Sequence, residues 1–397
     1  MQDKLNIHFV SNAPFSSTGY GNQTALFTPR IKQLGHDVSI TATYGLEGGV
    51  INWNGIPIFP RAYHAYAQDI APAHAMTVGA DVVITLLDAW VYEPSAFAGV
   101  RWCPWFPVDM EPLPPPVKKS VQGAFARLVY SKFACKMLDE AGVDYYYIPH
   151  GVDTKEFFPV SMQEAREKTK LPKDAFIVGM VAANKGLPSR KAFAQNIEAF
   201  AMLKRKHPDA ILYIHTDQGL GPQSFNIPEY VKYMGMEMGK DVLLPDPYQY
   251  HVGFPAGFMN LLYNSFDVHL LVSMGEGFGI PIVEAQAAGC PVIIGDWTAM
   301  SELCFSGWKV SKQEAQKVYT PLAAYQFDPN PNAIYERLED SYRMRGNMEY
   351  RKRARAGAMA YDADKVTQKY WKPVLEDLYK RIKEPNVEVM QPIKFVA

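Results

Sequence analysis

The chain runs twice through the same alternation of short apolar segments and helical ones, and that repetition constrains its fold more than any other feature. In the first half, residues 5–10, 37–43, 81–87, 128–131 and 145–149 are short apolar runs bounded by turn residues and read as buried strands, with a helix over about 22–34. Residues 151–160 carry turn residues and a proline, and read as a linker. The pattern then restarts. Strands at 176–181, 210–215, 268–272 and 291–294 interleave with helices at 191–206, 258–264 and 282–288. Helices near 333–343 and 364–383 close the series, and no periodicity is legible beyond Glu384. Strands joined through helices run parallel, because each crossover returns over one face of the sheet. The expectation is an α/β chain of two domains, residues 1–155 (joined by the closing helix, 365–383) and 160–360.

Composition narrows what such a pair of domains can serve. At 397 residues, 48% hydrophobic and 20% charged, the chain has the make-up of a folded globular protein. A net charge of −1 gives no whole-molecule attraction to nucleic acid or to an anionic membrane. Cys103, Cys135, Cys290 and Cys304 are scattered and form no C-x-x-C pair, which fits free thiols in a reducing compartment. The apolar run after the N-terminus is too short for a signal sequence, and no window approaches the ~18 apolar residues that span a bilayer. A cytoplasmic protein without membrane insertion is expected.

The densest chemistry lies in Ser273-Met274-Gly275-Glu276-Gly277-Phe278-Gly279-Ile280-Pro281-Ile282-Val283-Glu284-Ala285. It follows an apolar strand and opens a helix. Its three glycines let backbone approach a ligand, and N–H groups at a helix start favour an anionic or hydroxyl-rich partner. Glu276 and Glu284 can accept hydrogen bonds from two hydroxyl clusters of one extended ligand. Gly289-Cys290-Pro291-Val292 follows.

This segment resembles the E-x(7)-E signature of the family 4 retaining glycosyltransferases, EGFG-x-P-x-x-EA followed by G-x-PV. The likeness extends to Tyr130-Ser131-Lys132-Phe133, to Ile148-Pro149-His150-Gly151-Val152-Asp153 and to Lys191 through Glu198-Ala199-Phe200. The resemblance implies two Rossmann-like domains facing a cleft (the type B glycosyltransferase fold, GT-B), with the C-terminal helix packing back on the N-terminal domain. It implies a nucleoside-diphosphate sugar donor, retention of configuration, no cofactor and no required metal. Carried over by position, Glu284 binds the donor ribose. Glu276 contacts the transferred sugar beside the N–H groups of Phe278, Gly279 and Ile280. Lys191 neutralises the diphosphate. The family's arginine about five residues before that lysine is Gly186 here, and Arg190 is the nearest substitute.

Near the N-terminus, Gly19 and Gly21 in Ser17-Thr18-Gly19-Tyr20-Gly21 follow the first strand, where a glycine loop can cradle phosphate or admit an acceptor. This is not the dinucleotide fingerprint, since Thr24 stands where its third glycine belongs. Asp88 and Asp109 follow strand ends, the edge where open α/β sheets bind ligands, and Asp109 is the acceptor-side candidate. Asp362-Ala363-Asp364 imitates a D-x-D metal motif but reads as a helix cap. The nine histidines show no metal-ligand spacing. The aromatic stretch 102–106 reads as a core strand. No nucleophile stands out for a double displacement, so front-face substitution is favoured. The rival within the fold is a nucleotide-sugar 2-epimerase, which lacks the E-x(7)-E spacing. A non-catalytic nucleotide-sugar-binding protein is the other, and Glu276 argues against it. The acceptor stays open among protein hydroxyls, glycans, lipid-linked sugars and hydroxylated DNA bases.

Overall fold

A computed structural model describes residues 4–383; the stretch from Glu384 onward lies outside the described residues. The described chain forms two compact units. One comprises residues 4–151, 321–324 and 361–383, and the other residues 152–320 and 325–360.

The first unit is built on one eight-stranded sheet. Its strands are β1 (Asn6–Ser11), β2 (Asp37–Ala42), β3 (Ile51–Trp53), β4 (Ile56–Pro60), β5 (Val82–Leu86), β6 (Trp102–Phe106), β7 (Leu128–Val129) and β8 (Tyr146–Tyr147). They lie in the order β3-β4-β2-β1-β5-β6-β7-β8, all parallel except the antiparallel edge strand β3. All five residues of β5 and of β6 are buried. The aromatic stretch is thus a core strand, with Trp102 stacked on Phe97 at 5.0 Å between ring centroids. Sequence periodicity missed the β3–β4 hairpin because β3 is largely exposed. Its tip, Asn54-Gly55, has φ of 52° and 76°, the left-handed pair that a tight hairpin turn demands.

The closing helix is not uniform. It runs as Ala363–Val366, a π-turn at Thr367–Trp371 and Lys372–Lys383. The extra residue of a π-turn rotates the remainder of a helix about its axis. Here the turn carries fully buried Trp371, whose ring lies 6.1, 5.9 and 4.9 Å from Phe9, Phe27 and Trp105. Asp362 caps this helix, accepting from the N–H groups of Asp364 (3.1 Å) and Lys365 (3.2 Å), so the D-x-D lookalike is a helix start. Farther along, Arg381 donates to the Phe125 carbonyl at 2.9 Å. The helix therefore belongs to the first unit although it is last in the chain.

The second unit has six parallel strands: β9 (Phe176–Val181), β10 (Ala210–His215), β11 (Val242–Leu243), β12 (Val268–Leu271), β13 (Val292–Gly295) and β14 (Gly307–Val310). Their order is β11-β10-β9-β12-β13-β14. A hairpin, β15 (Ala315–Tyr319) with β16 (Tyr325–Pro329), follows. The winding direction reverses between β9 and β12, the position in an open α/β sheet at which ligands bind beyond the carboxyl ends of the strands. The loops leaving both strands carry residues singled out from sequence.

Candidate functional site

The loop after β9 ends at Ala192, which takes the left-handed conformation (φ 51°) and starts the helix at Phe193, not at Lys191. Arg190 and Lys191 therefore sit on the loop, at the carboxyl edge of the sheet. Asn196, buried in the next helical turn, fixes this corner by donating to the carbonyls of Ala192 (2.8 Å) and Val272 (3.1 Å).

The loop after β12 faces it. Its backbone is clamped by the loop after β13, with Trp297 Nε1 donating to Ser273 O at 3.0 Å and the Glu276 N–H donating to Thr298 Oγ1 at 3.1 Å. Thr298 holds φ at 50°, strained for a β-branched residue, while 1% exposed. Glu276, its side chain 6% exposed, accepts from Lys191 Nζ at 2.5 Å, Ser273 Oγ at 2.6 Å and Arg190 at 3.3 Å. Arg190 also donates to the Gly275 carbonyl. Burial pushes the Glu276 carboxyl up, but Lys191 and Arg190, with the Lys191 and Ser273 hydrogen bonds, outweigh it and bring the pKa down to about 2. Two cations are thus held by one buried carboxylate at the switch point.

Gly279, at φ 112°, turns the chain into the helix Ile280–Ala287, where Pro281 suits a first-turn position. That φ favours glycine whatever the space, and a side chain at Gly279 would also meet the tip of Ile282, Cδ1, at 2.7 Å. Phe278 is buried, and no side chain caps this helix. Glu284, half-buried on it, accepts from the hydroxyl of fully buried Tyr263 at 2.8 Å. Burial raises its pKa to about 7, the Tyr263 hydrogen bond pulls it down, and Glu156 nearby adds a smaller upward push.

The other candidates gather in the first unit, along the carboxyl edge of its own sheet. The first helix is Gly19–Gln33, three residues earlier than periodicity gives, because Thr18 Oγ1 caps it by accepting the Gly21 N–H at 3.0 Å. Gly19 and Gly21 therefore lie in the helix's first turn, not in the loop before it. Gly21 is packed so closely that a side chain would meet Ser16 O at 2.4 Å, whereas Gly19 is exposed. Tyr20 donates to Asp88 Oδ2 at 3.4 Å. Burial, then Tyr20, Asp88 and Asp109, hold the Tyr130 hydroxyl well above its ordinary range. Asp109 is half-buried within this group. His150 stacks on Tyr130 at 3.9 Å, and burial keeps it neutral.

The structure thus brings Arg190, Lys191, Glu276, Phe278, Gly279, Ile280 and Glu284 to one sheet edge, and Gly19, Gly21, Asp88 and Asp109 to the edge of the other unit's sheet. Sequence reasoning missed Tyr263 and Thr298. No local signal marks either, since each acts on a partner 21 or 22 positions away. Among the described residues, no three His, Cys, Asp or Glu side chains meet in a group that could hold a metal ion.

Residues 161–307 match the family model of the group 1 glycosyl transferases. That segment contains the whole Lys191–Glu276–Glu284 constellation. The chain is similar to D-inositol 3-phosphate glycosyltransferase of Paenarthrobacter aurescens, 27% identical over 36% of this chain and 33% of the relative. It is also similar to mannosylfructose-phosphate synthase of Agrobacterium fabrum, 28% identical over 38% of this chain and 32% of that protein. The chain thus spans about a third of the length of these curated relatives. Sucrose-phosphate synthase of Thermosynechococcus elongatus superposes with a TM-score of 0.68 over 96% of this chain and 99% of its own, at 16% identity. Anabaena HepE in complex with UDP-glucose gives 0.68 over 94% and 100%, at 14% identity. These likenesses establish the fold, the type B glycosyltransferase fold with its two Rossmann-like units. Among the described residues, no helix is long and apolar enough to cross a membrane.

Proposed function

We propose that this chain is a retaining glycosyltransferase of family 4, moving a sugar from a nucleoside-diphosphate donor to an acceptor hydroxyl without a metal. The observation that carries the reading is the buried Glu276 carboxylate holding Lys191 and Arg190 at the switch point, on the loop that leads into the helix bearing Glu284. A diphosphate at that edge gains both cations and the N–H groups that open the helix Ile280–Ala287. Glu284 accepts from the ribose hydroxyls. The C1–O bond to the departing phosphate breaks, the acceptor oxygen bonds C1 on the same face, and the phosphate takes the acceptor's proton. Asp109 assists on the acceptor side, within the first unit. The UDP-glucose bound by HepE supports a nucleoside-diphosphate donor. The four cysteines, none of them in a disulfide among the described residues, support a reducing, cytoplasmic setting.

Calorimetry with UDP, GDP and ADP, together with donor hydrolysis in excess EDTA, tests this. One nucleoside diphosphate should bind, with hydrolysis persisting in EDTA. Glu276→Gln frees Lys191 and Arg190 from their competitor, so it should bind that diphosphate at least as tightly as wild type while turnover falls about 100-fold or more. Activity that vanishes in EDTA and returns with Mn²⁺ or Mg²⁺ would refute metal independence. Loss of diphosphate binding in Glu276→Gln would refute the roles assigned to the cluster.

A further inference from the structure

The first unit concentrates its exposed apolar side chains at one place. Eight large ones are exposed in its described residues, and seven of them, all but Met76, lie at the carboxyl edge of the parallel sheet. Phe15 follows β1, Tyr44 follows β2, Tyr63 and Tyr66 follow β4, and Trp90 follows β5. Val50 and Ile51 reach the same edge because β3 runs antiparallel to β4. An apolar row of this kind, gathered on one edge of a sheet whose other exposed surface lacks it, marks a contact surface.

These loops are fastened to one another. The Ala13 N–H donates to Tyr44 O at 2.8 Å, Arg61 pairs with Glu47 at 3.0 Å, and the Glu93 N–H donates to Gln68 Oε1 at 2.9 Å. With Tyr20, in the first turn of the helix after β1, donating to Asp88 at 3.4 Å, bonds link the chain after β1 to the loops after β2, β4 and β5. The rings are therefore presented on fixed backbone; Tyr63 is wholly exposed, while its N–H and that of His64 both donate to Asp69 at 3.0 and 3.1 Å.

Charge decides what such a rim accepts. Segments 11–20, 44–50, 61–69, 88–93 and 107–111 contain six carboxylates (Glu47, Asp69, Asp88, Glu93, Asp109 and Glu111) against one arginine, Arg61, and one histidine, His64, with no lysine. A polyanion, whether a nucleic-acid backbone or an anionic lipid surface, is repelled there. Carboxylates accept hydrogen bonds from hydroxyls, and aromatic faces cover the apolar C–H faces of sugar rings at low entropic cost. We propose that this rim binds a neutral saccharide several residues long, the acceptor of the transfer, with Trp90 and Tyr63 as its principal platforms. This assignment of the acceptor class rests on the transferase reading above.

The test uses the full chain without donor. Binding of malto-, cello- and xylohexaose is measured by calorimetry and by tryptophan fluorescence, with a double-stranded oligonucleotide and phosphatidylserine vesicles as polyanionic probes. At least one hexasaccharide is expected to bind in the millimolar range or tighter. Tyr63→Ala, a change at a wholly exposed side chain, and Trp90→Ala should each weaken it about tenfold, with Trp90→Phe retaining most of the affinity. Binding of the oligonucleotide or the vesicles in place of every hexasaccharide overturns the proposal, as does saccharide binding that both alanine variants leave intact, or no saccharide binding at all. Nucleoside diphosphate binding, measured separately, keeps the two readings apart. Diphosphate binding without saccharide binding overturns the acceptor class alone. Aromatic-dependent saccharide binding without diphosphate binding overturns the transferase reading and leaves a sugar-binding surface.

Discussion

Lys191 gives the sharpest test of how the site is held together. Its Nζ stands 2.5 Å from Glu276 Oε1, and the two side chains are 17% and 6% exposed. Folding brings the Glu276 carboxyl from an ordinary 4.5 to about 2, because the cations outweigh the burial that opposes ionisation. A depression of that size corresponds to about 3 kcal/mol at neutral pH. Since the folded value is the lower one, this stability is fully present above pH 4.5 and is lost as pH falls toward 2. Lys191→Met keeps the apolar stem but removes the charge, and burial then dominates, so the carboxyl's pKa moves up. A raised group contributes its stability at low pH and loses it as pH rises through the folded value. The variant should therefore be about 3–5 kcal/mol less stable than wild type near neutrality, with the gap narrowing as the solution is acidified. Arg190→Met should cost much less, because Arg190 is 38% exposed and solvent screens its pair. Urea midpoints of the single and double variants with Glu276→Gln, from about pH 5 to about pH 8, give a coupling energy expected at about 2–3 kcal/mol. A Lys191→Met penalty below about 0.5 kcal/mol, unchanged with pH and uncoupled to Glu276, would refute the electrostatic account.

Two further variants probe the surrounding shell. Glu284, raised to about 7 by burial, contributes stability that is present below its ordinary 4.5 and is lost as pH rises through about 7. Glu284→Gln should accordingly raise the urea midpoint at pH 8 and leave it unchanged near pH 4.5 while weakening nucleoside diphosphate; a gain independent of pH would contradict this. Thr298→Val leaves the Glu276 N–H without its acceptor, costing about 1–3 kcal/mol, and should lower turnover, whereas Thr298→Ser retains both stability and rate. Equal rates in Val and Ser variants would show that the clamp does not act on Glu276.

The α/β character of the chain, most strand positions and the glutamate-bearing helix start are legible from the residues alone, because each is written in neighbouring positions. Apolar runs the length of one strand, and glycines ahead of a helix, depend on local sterics and solvent alone. Even the β3–β4 hairpin carried its sign in Asn54-Gly55, a turn pair that apolar periodicity does not count. What those residues touch depends on the folded arrangement. Lys191 and Glu276 are 85 positions apart and meet because β9 and β12 are neighbours at the reversal of strand order. Tyr263 reaches Glu284, and Thr298 reaches Glu276, across separate loops. The closing helix joins the first unit through Trp371, packed on Phe9, Phe27 and Trp105, residues more than two hundred positions away. The carboxylates show the division most plainly, for composition counts Glu276 and Glu284 as the same residue type. Two neighbouring cations lower one to about 2, and burial raises the other to about 7, because the energy of a buried charge is set by what surrounds it in space.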